Sequence, residues 1–212
     1  MKNKLILFLM IPLILINGCG QKKENSSNSS LQKSISLSEG NYDINFSESK
    51  LVWIGKQMST KEHTGTINIK NGKIIINDSG SINGNIEIDM LTINTTDIQG
   101  RGKEKLDRHL KDADFFDVSR HPVAYLTFQG DDKVNPNGKF EFNGELTIKN
   151  ITHPISFYSN IDNLNGKLRA NAEVIFDRSL YDVKYGSGKF FDNLGDRLIY
   201  DEIAINVMII TI

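Results

Sequence analysis

From about residue 40 onward, hydrophobic and polar residues alternate along most of the chain. Between Ile82 and Met90, the residues Ile82, Ile86, Ile88 and Met90 fall on one face, and Asn83, Asn85, Glu87 and Asp89 fall on the other. A period of two predicts a strand with one dry side and one wet side. The pattern recurs in Lys139–Lys149, with Phe140, Phe142, Leu146 and Ile148 together, and in Lys167–Asp177, with Leu168, Ala170, Ala172, Val174 and Phe176 together. Shorter runs predict strands over Tyr42–Phe46, Lys50–Lys56, Thr64–Lys70, Lys73–Asn77, Val123–Gly130, Pro154–Ile161 and Ile199–Ile210. Turn signals separate them: Asn71-Gly72, Asp78-Ser79-Gly80-Ser81, Asn135-Pro136-Asn137-Gly138 and Asn165-Gly166.

One stretch breaks the alternation. From Arg101 to Ala113, Leu106, Leu110 and Ala113 recur at helical spacing, while Lys103, Glu104, Asp107, Arg108, Lys111 and Asp112 cover the other side. This is the one helix predicted in a β-rich domain. Its apolar side and the following Phe115-Phe116 must bury against a sheet. Successive antiparallel strands with one wet face each predict an all-β fold, closed as a barrel or packed as a sandwich. Hairpins in chain order favour an antiparallel up-and-down barrel of about eight strands with one short helix.

The chain opens differently. Lys2 and Lys4 precede an apolar run, Leu5–Ile16, that is too short to span a bilayer stably and is interrupted by Pro12. Ile16-Asn17-Gly18-Cys19 follows and resembles a bacterial lipoprotein signal, in which the cysteine receives lipid. Cys19 is the single cysteine, so no intramolecular disulfide forms. Residues 1–18 are expected to be a signal peptide. Residues 19–39, with the low-complexity Asn25–Ser30, are expected to be a lipidated, disordered tether. Residues 40–212 have the length of one domain. A membrane-anchored protein of the bacterial cell envelope is the implied setting.

Charge and motifs narrow the chemistry. The chain carries 25 basic and 26 acidic residues, a net charge of −1, with no basic stripe of the kind nucleic acid requires. His63, His109, His121 and His153 are scattered without metal-ligand spacing. Neither a nucleophile elbow nor a phosphate- or dinucleotide-binding glycine loop occurs. Asp192–Arg197 reads as a turn rather than a cation loop. Tyr181–Gly188 with Lys189-Phe190-Phe191 reads as a long loop on a barrel rim. No catalytic residue, metal or cofactor is expected.

The order of several short elements carries a resemblance. These are Gly65-Thr66-Ile67, Gly84–Met90, His109-Leu110-Lys111 running into Asp114-Phe115-Phe116-Asp117, His121-Pro122, Gly144–Ile148 with Thr152-His153-Pro154, and Phe176-Asp177-Arg178. Together they resemble the YceI-like family of lipocalin-like envelope proteins that bind polyisoprenoid or related long lipids. The resemblance covers about Tyr42 to the end. It implies a tubular apolar cavity holding an isoprenoid or other long-chain lipid, here in a membrane-tethered form.

The implied cavity lining is Trp53 and Ile67 from the early strands; Ile86, Ile88 and Met90; Leu110, Phe115 and Phe116 from the helical stretch; Phe128, Phe140, Phe142 and Phe157; and Ala172, Val174, Phe176 and Arg178. The residues alone leave two readings open. Inward Gly84, Gly144, Ala170 and Ala172 leave room for a ligand. Alternatively, Phe128, Phe140, Phe142, Phe157 and Phe176 pack into a filled core, which makes the domain a non-catalytic structural or interaction module. Arg178 likewise reads either as a headgroup contact or as a structural residue, stacked on Trp53 or paired with Asp177 or another carboxylate.

Lipidation predicts a specific outcome. Cys19→Ser is expected to shift the protein to the soluble fraction or to leave the precursor unprocessed. Normal processing with unchanged membrane fractionation contradicts it.

Overall fold

The computed structural model describes residues 37–59 and 62–212, all within one compact unit, Gln32–Ile212. Cys19 and the tether as far as Ser36 lie outside the described residues. Among the described residues there are nine strands: β1 (Gly40–Asp43), β2 (Lys50–Gln57), β3 (Glu62–Ile76), β4 (Ile82–Thr95), β5 (Val123–Val134), β6 (Phe140–Ile148), β7 (Ile151–Leu164), β8 (Lys167–Asp177) and β9 (Ile199–Ile210). The helix α1 (Gly100–Lys111) stands between β4 and β5.

The strands form one antiparallel sheet in the order β1-β3-β2-β9-β8-β7-β6-β5-β4, and β4 pairs back with β3. The long strand β3 makes this closure possible. One of its edges carries β4 along its length. The other carries β2 against Glu62–Ile67 and β1 against Lys73–Ile76. Thus β1 and β2 share one place in the wall, separated by a turn that Asn45 holds through its side-chain Oδ1. The result is an eight-position closed barrel with one helix, the expected class. Closure leaves few unpaired edges.

The inward phases match the alternation. Leu168, Val174, Phe140, Phe142, Leu146, Ile148, Ile82, Ile86 and Met90 are all buried. The turn at Asn165-Gly166 has both residues in the left-handed region, as do Lys149 and Asn150, which join β6 to β7. Pro154 sits within β7 in the stretch Ile151–Phe157, which pairs with β6 alone; the β8 pairing begins at Tyr158. Proline is tolerated on such an edge.

Asn71-Gly72 corrects the sequence expectation. No hairpin forms there. The two predicted strands Thr64–Lys70 and Lys73–Asn77 are the single strand β3, which continues through the dipeptide with a register shift against β4. Gly72 is required for close approach, because a Cβ there would lie 2.7 Å from Ile44 Cδ1. A glycine strong enough to signal a turn locally is used here for packing across strands.

The helix is fixed at one end of the barrel by polar contacts. Asp107 Oδ1 accepts a hydrogen bond from the Thr95 N–H at 2.7 Å, and Lys103 pairs with Asp107 while donating to Asn94 Oδ1 at 2.8 Å. Burial works against the charge on Asp107, but the hydrogen bonds from Lys103 and Thr95 outweigh it and hold the carboxyl below its ordinary pKa. Arg108, His109 and Lys111 occupy the last turn, where positive charge suits the helix dipole. The chain then doubles back: the Phe116 N–H donates to Leu110 O and the Val118 N–H to Lys111 O.

Two glycines test this packing in opposite directions. A Cβ on Gly144 would overlap the Thr127 carbonyl oxygen, so Gly144→Ala is expected to cost about 1–3 kcal/mol. Gly102 lies in the helix, and a Cβ there meets nothing closer than Ile98 Cδ1 at 3.8 Å. Gly102→Ala is therefore expected to stabilise the protein by about 0.5–1 kcal/mol. Thermal melting of the two variants checks both signs.

Candidate ligand-binding cavity

The barrel interior is divided. In the half nearest the Asp78–Ser81 and Asn165-Gly166 turns, aromatic rings fill the bore. Phe128 meets Phe142 at a centroid distance of 5.3 Å and Phe157 at 5.6 Å, and Phe142 stacks on Phe157 at 5.4 Å. Such edge and offset contacts are favourable beyond the area they bury. The Phe128 ring occupies the space above Gly84, where a Cβ would overlap it. Phe140 is completely buried. A small void of about 50 Å³ remains here, bordered by Ala170 and Ala172.

The half nearest α1 is open. It holds a cavity of about 250 Å³ whose wall includes Leu51 and Trp53 on β2, Ile67 on β3, Ile86, Ile88, Met90 and Ile93 on β4, and Ala124 and Leu126 on β5. Leu146 and Ile148 on β6, Val174 and Phe176 on β8, and Ile203, Ile205 and Val207 on β9 complete it. Leu106, Leu110, Phe115 and Phe116 roof it. This explains why no residue of α1 is fully buried: its apolar side faces the cavity instead of a packed core. Polar groups gather at the mouth, where Lys56, Gln57, His63 and His109 meet the lining. His63 Nδ1 lies 2.8 Å from Asp97 Oδ2, which fixes the loop before α1 to β3. The indole of Trp53 lies flat on β3 because its partner there, Gly65, has no side chain: a Cβ would overlap the ring.

Ten of the residues singled out from sequence are brought together in this cavity: Trp53, Ile67, Ile86, Ile88, Met90, Leu110, Phe115, Phe116, Val174 and Phe176. Six are not. Phe128, Phe142 and Phe157 form the aromatic plug, Phe140 is buried beside it, and Ala172 borders the small void below the cavity. The expected room at Gly84 and Gly144 is likewise taken, by the Phe128 ring and by the β5 backbone.

Arg178 is the sixth. It is completely buried, and its guanidinium is committed to protein acceptors. It donates to the backbone oxygens of Val183 at 2.9 Å, Ile199 at 3.1 Å and Tyr200 at 3.2 Å, and it lies 3.2 Å from Asp201 Oδ1. Its carbon stands 5.4 Å from the centre of the Phe115 ring. Burial lowers its pKa, while Asp201 and Asp177 act to raise it. The guanidinium lies over Phe115 rather than Trp53, and Asp201 is the other carboxylate it meets in place of Asp177. Asp177 instead caps the 3-10 turn Arg178–Tyr181 and pairs with Lys189.

Several wall residues escaped the sequence reading. Leu146 and Ile148 already shared the inward phase of β6. Ile203, Ile205 and Val207 were hidden because β9 is apolar on both faces. Ile93 was hidden by a bulge: Asn68 pairs with Asp89 but Thr66 with Asn94, so extra β4 residues loop out between them. Thr92 repairs the ladder there by accepting from the Asn68 N–H at 2.8 Å and donating to Asp89 O at 2.6 Å.

Among solved structures, BcnA from Burkholderia cenocepacia shares the fold with a TM-score of 0.60 at 18% identity, over 79% of this chain and 99% of that one. A polyisoprenoid-binding domain from Saccharophagus degradans, implicated in plant cell wall breakdown, superposes with a TM-score of 0.55 at 14% identity, over 80% of this chain and 97% of that one. In sequence, a UPF0312 protein of Pectobacterium atrosepticum is 34% identical over 65 residues, 31% of this chain and 32% of that protein. The YceI protein of Escherichia coli O157:H7 is 32% identical over 66 residues, 31% of this chain and 33% of that protein. The chain spans about a third of the length of the curated relatives it matches. The model of the YceI-like domain matches residues 42–210, which run from within β1 to the end of β9, and the chain belongs to that family.

Proposed function

We propose that this protein binds a long-chain, isoprenoid-type lipid in the α1 half of the barrel, as a carrier or sequestering protein of the bacterial envelope held to a membrane through lipidated Cys19. The observation that carries the reading is the cavity of about 250 Å³ with aliphatic and aromatic walls and polar groups confined to its mouth. A wall of that composition offers a hydrocarbon chain full removal from water, worth about 0.8 kcal/mol for each CH₂ buried. It offers few groups to a polar or charged substrate along its length. The likeness to a domain described as polyisoprenoid-binding points to the same ligand class. The alternative, a structural module with a filled barrel, draws on the aromatic plug, which does fill the other half.

Mass spectrometry of organic extracts from the purified protein tests the reading directly: a stoichiometric long-chain lipid is expected, and its consistent absence argues for the structural module. Ile205 lines the cavity opposite Trp53 in register. Ile205→Trp is expected to fold with little change in melting temperature while losing the lipid. In a packed interior the same change would overpack and cost about 1–3 kcal/mol. Leu110→Asp places a carboxylate in the cavity roof. It is expected to lower the melting temperature or abolish lipid retention, because an unpaired charge in an apolar site costs several kcal/mol. A variant that keeps both properties removes α1 from the site.

A further inference from the structure

The cavity mouth is framed by the connection between β8 and β9. This segment is anchored from below. Tyr181, Val183 and Ser187 are buried, and Ser187 Oγ donates to Asp201 Oδ2 at 2.9 Å. The Ile199 N–H donates to Gly186 O at 2.8 Å, and the Met58 N–H, from the turn after β2, donates to Leu198 O at 2.8 Å. Lys189 pairs with Asp177 at the end of β8. With its small and internal residues holding it down, the segment presents its large apolar side chains outward. Leu180, Tyr185, Phe190 and Phe191 are exposed to 49%, 46%, 46% and 51%, and Met58 beside them to 52%. Tyr185 packs on His109, a residue of the cavity mouth, with ring centroids 4.3 Å apart. The patch is therefore continuous with the cavity rim. Apolar residues clustered on one rim need a partner surface in a way that scattered ones do not.

We infer that this rim docks on a lipid bilayer, with Phe190 and Phe191 entering the headgroup region. Three features select a bilayer over a protein. The exposed residues are mainly aromatic, and Lys184, whose ammonium pairs with Asp182, stands with Nζ 5.3 Å over the Phe190 ring, an apolar body with a polar, charged tip of the kind that settles at a membrane interface. The patch adjoins the mouth of the apolar cavity through the Tyr185–His109 contact, so docking would place the opening against hydrocarbon. The N-terminal chain also permits it. Gly40 pairs with Ile76 at the plugged end, opposite the mouth. Leu37 already packs against the barrel, and the residues 20–36 between Cys19 and Leu37 number 17. At full stretch they reach roughly 56–61 Å, more than the roughly 48 Å of a strand the length of β4. An anchor on Cys19 therefore leaves the far rim able to touch the same bilayer. Docking goes beyond the lipid-binding reading and does not require it.

The test uses residues 32–212, which contain every strand and the complete closed barrel and lack the N-terminal segment that could itself hold a membrane. Vesicles of phosphatidylcholine with one quarter phosphatidylglycerol are floated through a gradient with the protein. The wild-type unit is expected to float. Phe190→Ser with Phe191→Ser is expected to reduce floating protein by roughly tenfold or more, without a change in melting temperature, since both side chains are half exposed. Tyr158→Ser, on the barrel wall, is expected to float as wild type. Uptake of the neutral dye N-phenyl-1-naphthylamine from solution reports on the cavity separately and should be the same in all three. Failure of the wild type to float, or equal floating of the double variant, overturns the docking inference while leaving the cavity reading intact. A change from dimer to monomer in the double variant without loss of flotation also overturns it, in favour of a second copy as the occupant. Absence of dye uptake with normal flotation overturns the cavity reading alone.

Discussion

The width of an eight-position barrel is the constraint on which everything else depends. Such a bore admits one layer of side chains or one slender ligand, and not both. Each level of the barrel must therefore be filled by the protein or left for something else. Here the choice is made at Gly84, where the missing side chain allows the Phe128 ring to cross the bore and meet Phe142 and Phe157. Above that level the inward side chains are mainly Ile, Leu, Val and Met, which line the wall without meeting across it. Stability and capacity are divided along one axis: the plug contributes aromatic packing, and the α1 half gives up some burial to keep a space.

The helix follows from the same constraint. An open barrel end with an apolar interior would expose its lining to water. α1 and Phe115-Phe116 cover it, and the Asp107–Thr95 and Lys103–Asn94 contacts fix the cover to β4. The buried Arg178 has a comparable role beside that cover, against the Phe115 ring. By satisfying three backbone carbonyls with a single guanidinium, it holds Val183, Ile199 and Tyr200 in place beyond the Asp177–Glu202 pair, where the β8–β9 ladder ends. Breaking such a set leaves several buried acceptors unpaired, which is why a single arginine can organise a whole rim.

Much of this was legible in the residues. Period-two alternation placed β4, β6 and β8 in their correct phases, and β8 and β9 matched their observed limits residue for residue. The interior was legible as apolar, but not how it divides. A glycine in the inward phase looks like space; Gly84 instead receives a phenylalanine from the next strand, and Gly144 receives a backbone. Such a choice depends on which residues stand opposite in register, and alternation within one strand carries no information on that. Asn71-Gly72 failed for a related reason, since a local turn preference lost to continuous pairing with β4 on one side and to the approach of Ile44 on the other. Arg178 kept the inward phase of β8, yet the chain turns at that residue and directs it to carbonyls that no local pattern identifies.

The aromatic plug also makes the bore a blind tube. A slender molecule can enter only from the α1 end and must leave by the way it came. For a ligand of the proposed kind, the apolar tail would go in first and a polar terminus would stay at the rim beside Lys56, Gln57, His63 and His109. The depth from rim to Phe128 would then act as a ruler: a chain shorter than the bore would leave part of the wall uncovered, and a longer one would have to protrude or fold back. Moving that floor, by trading Phe128 for a smaller residue, would change the length of molecule measured and leave the door unaltered.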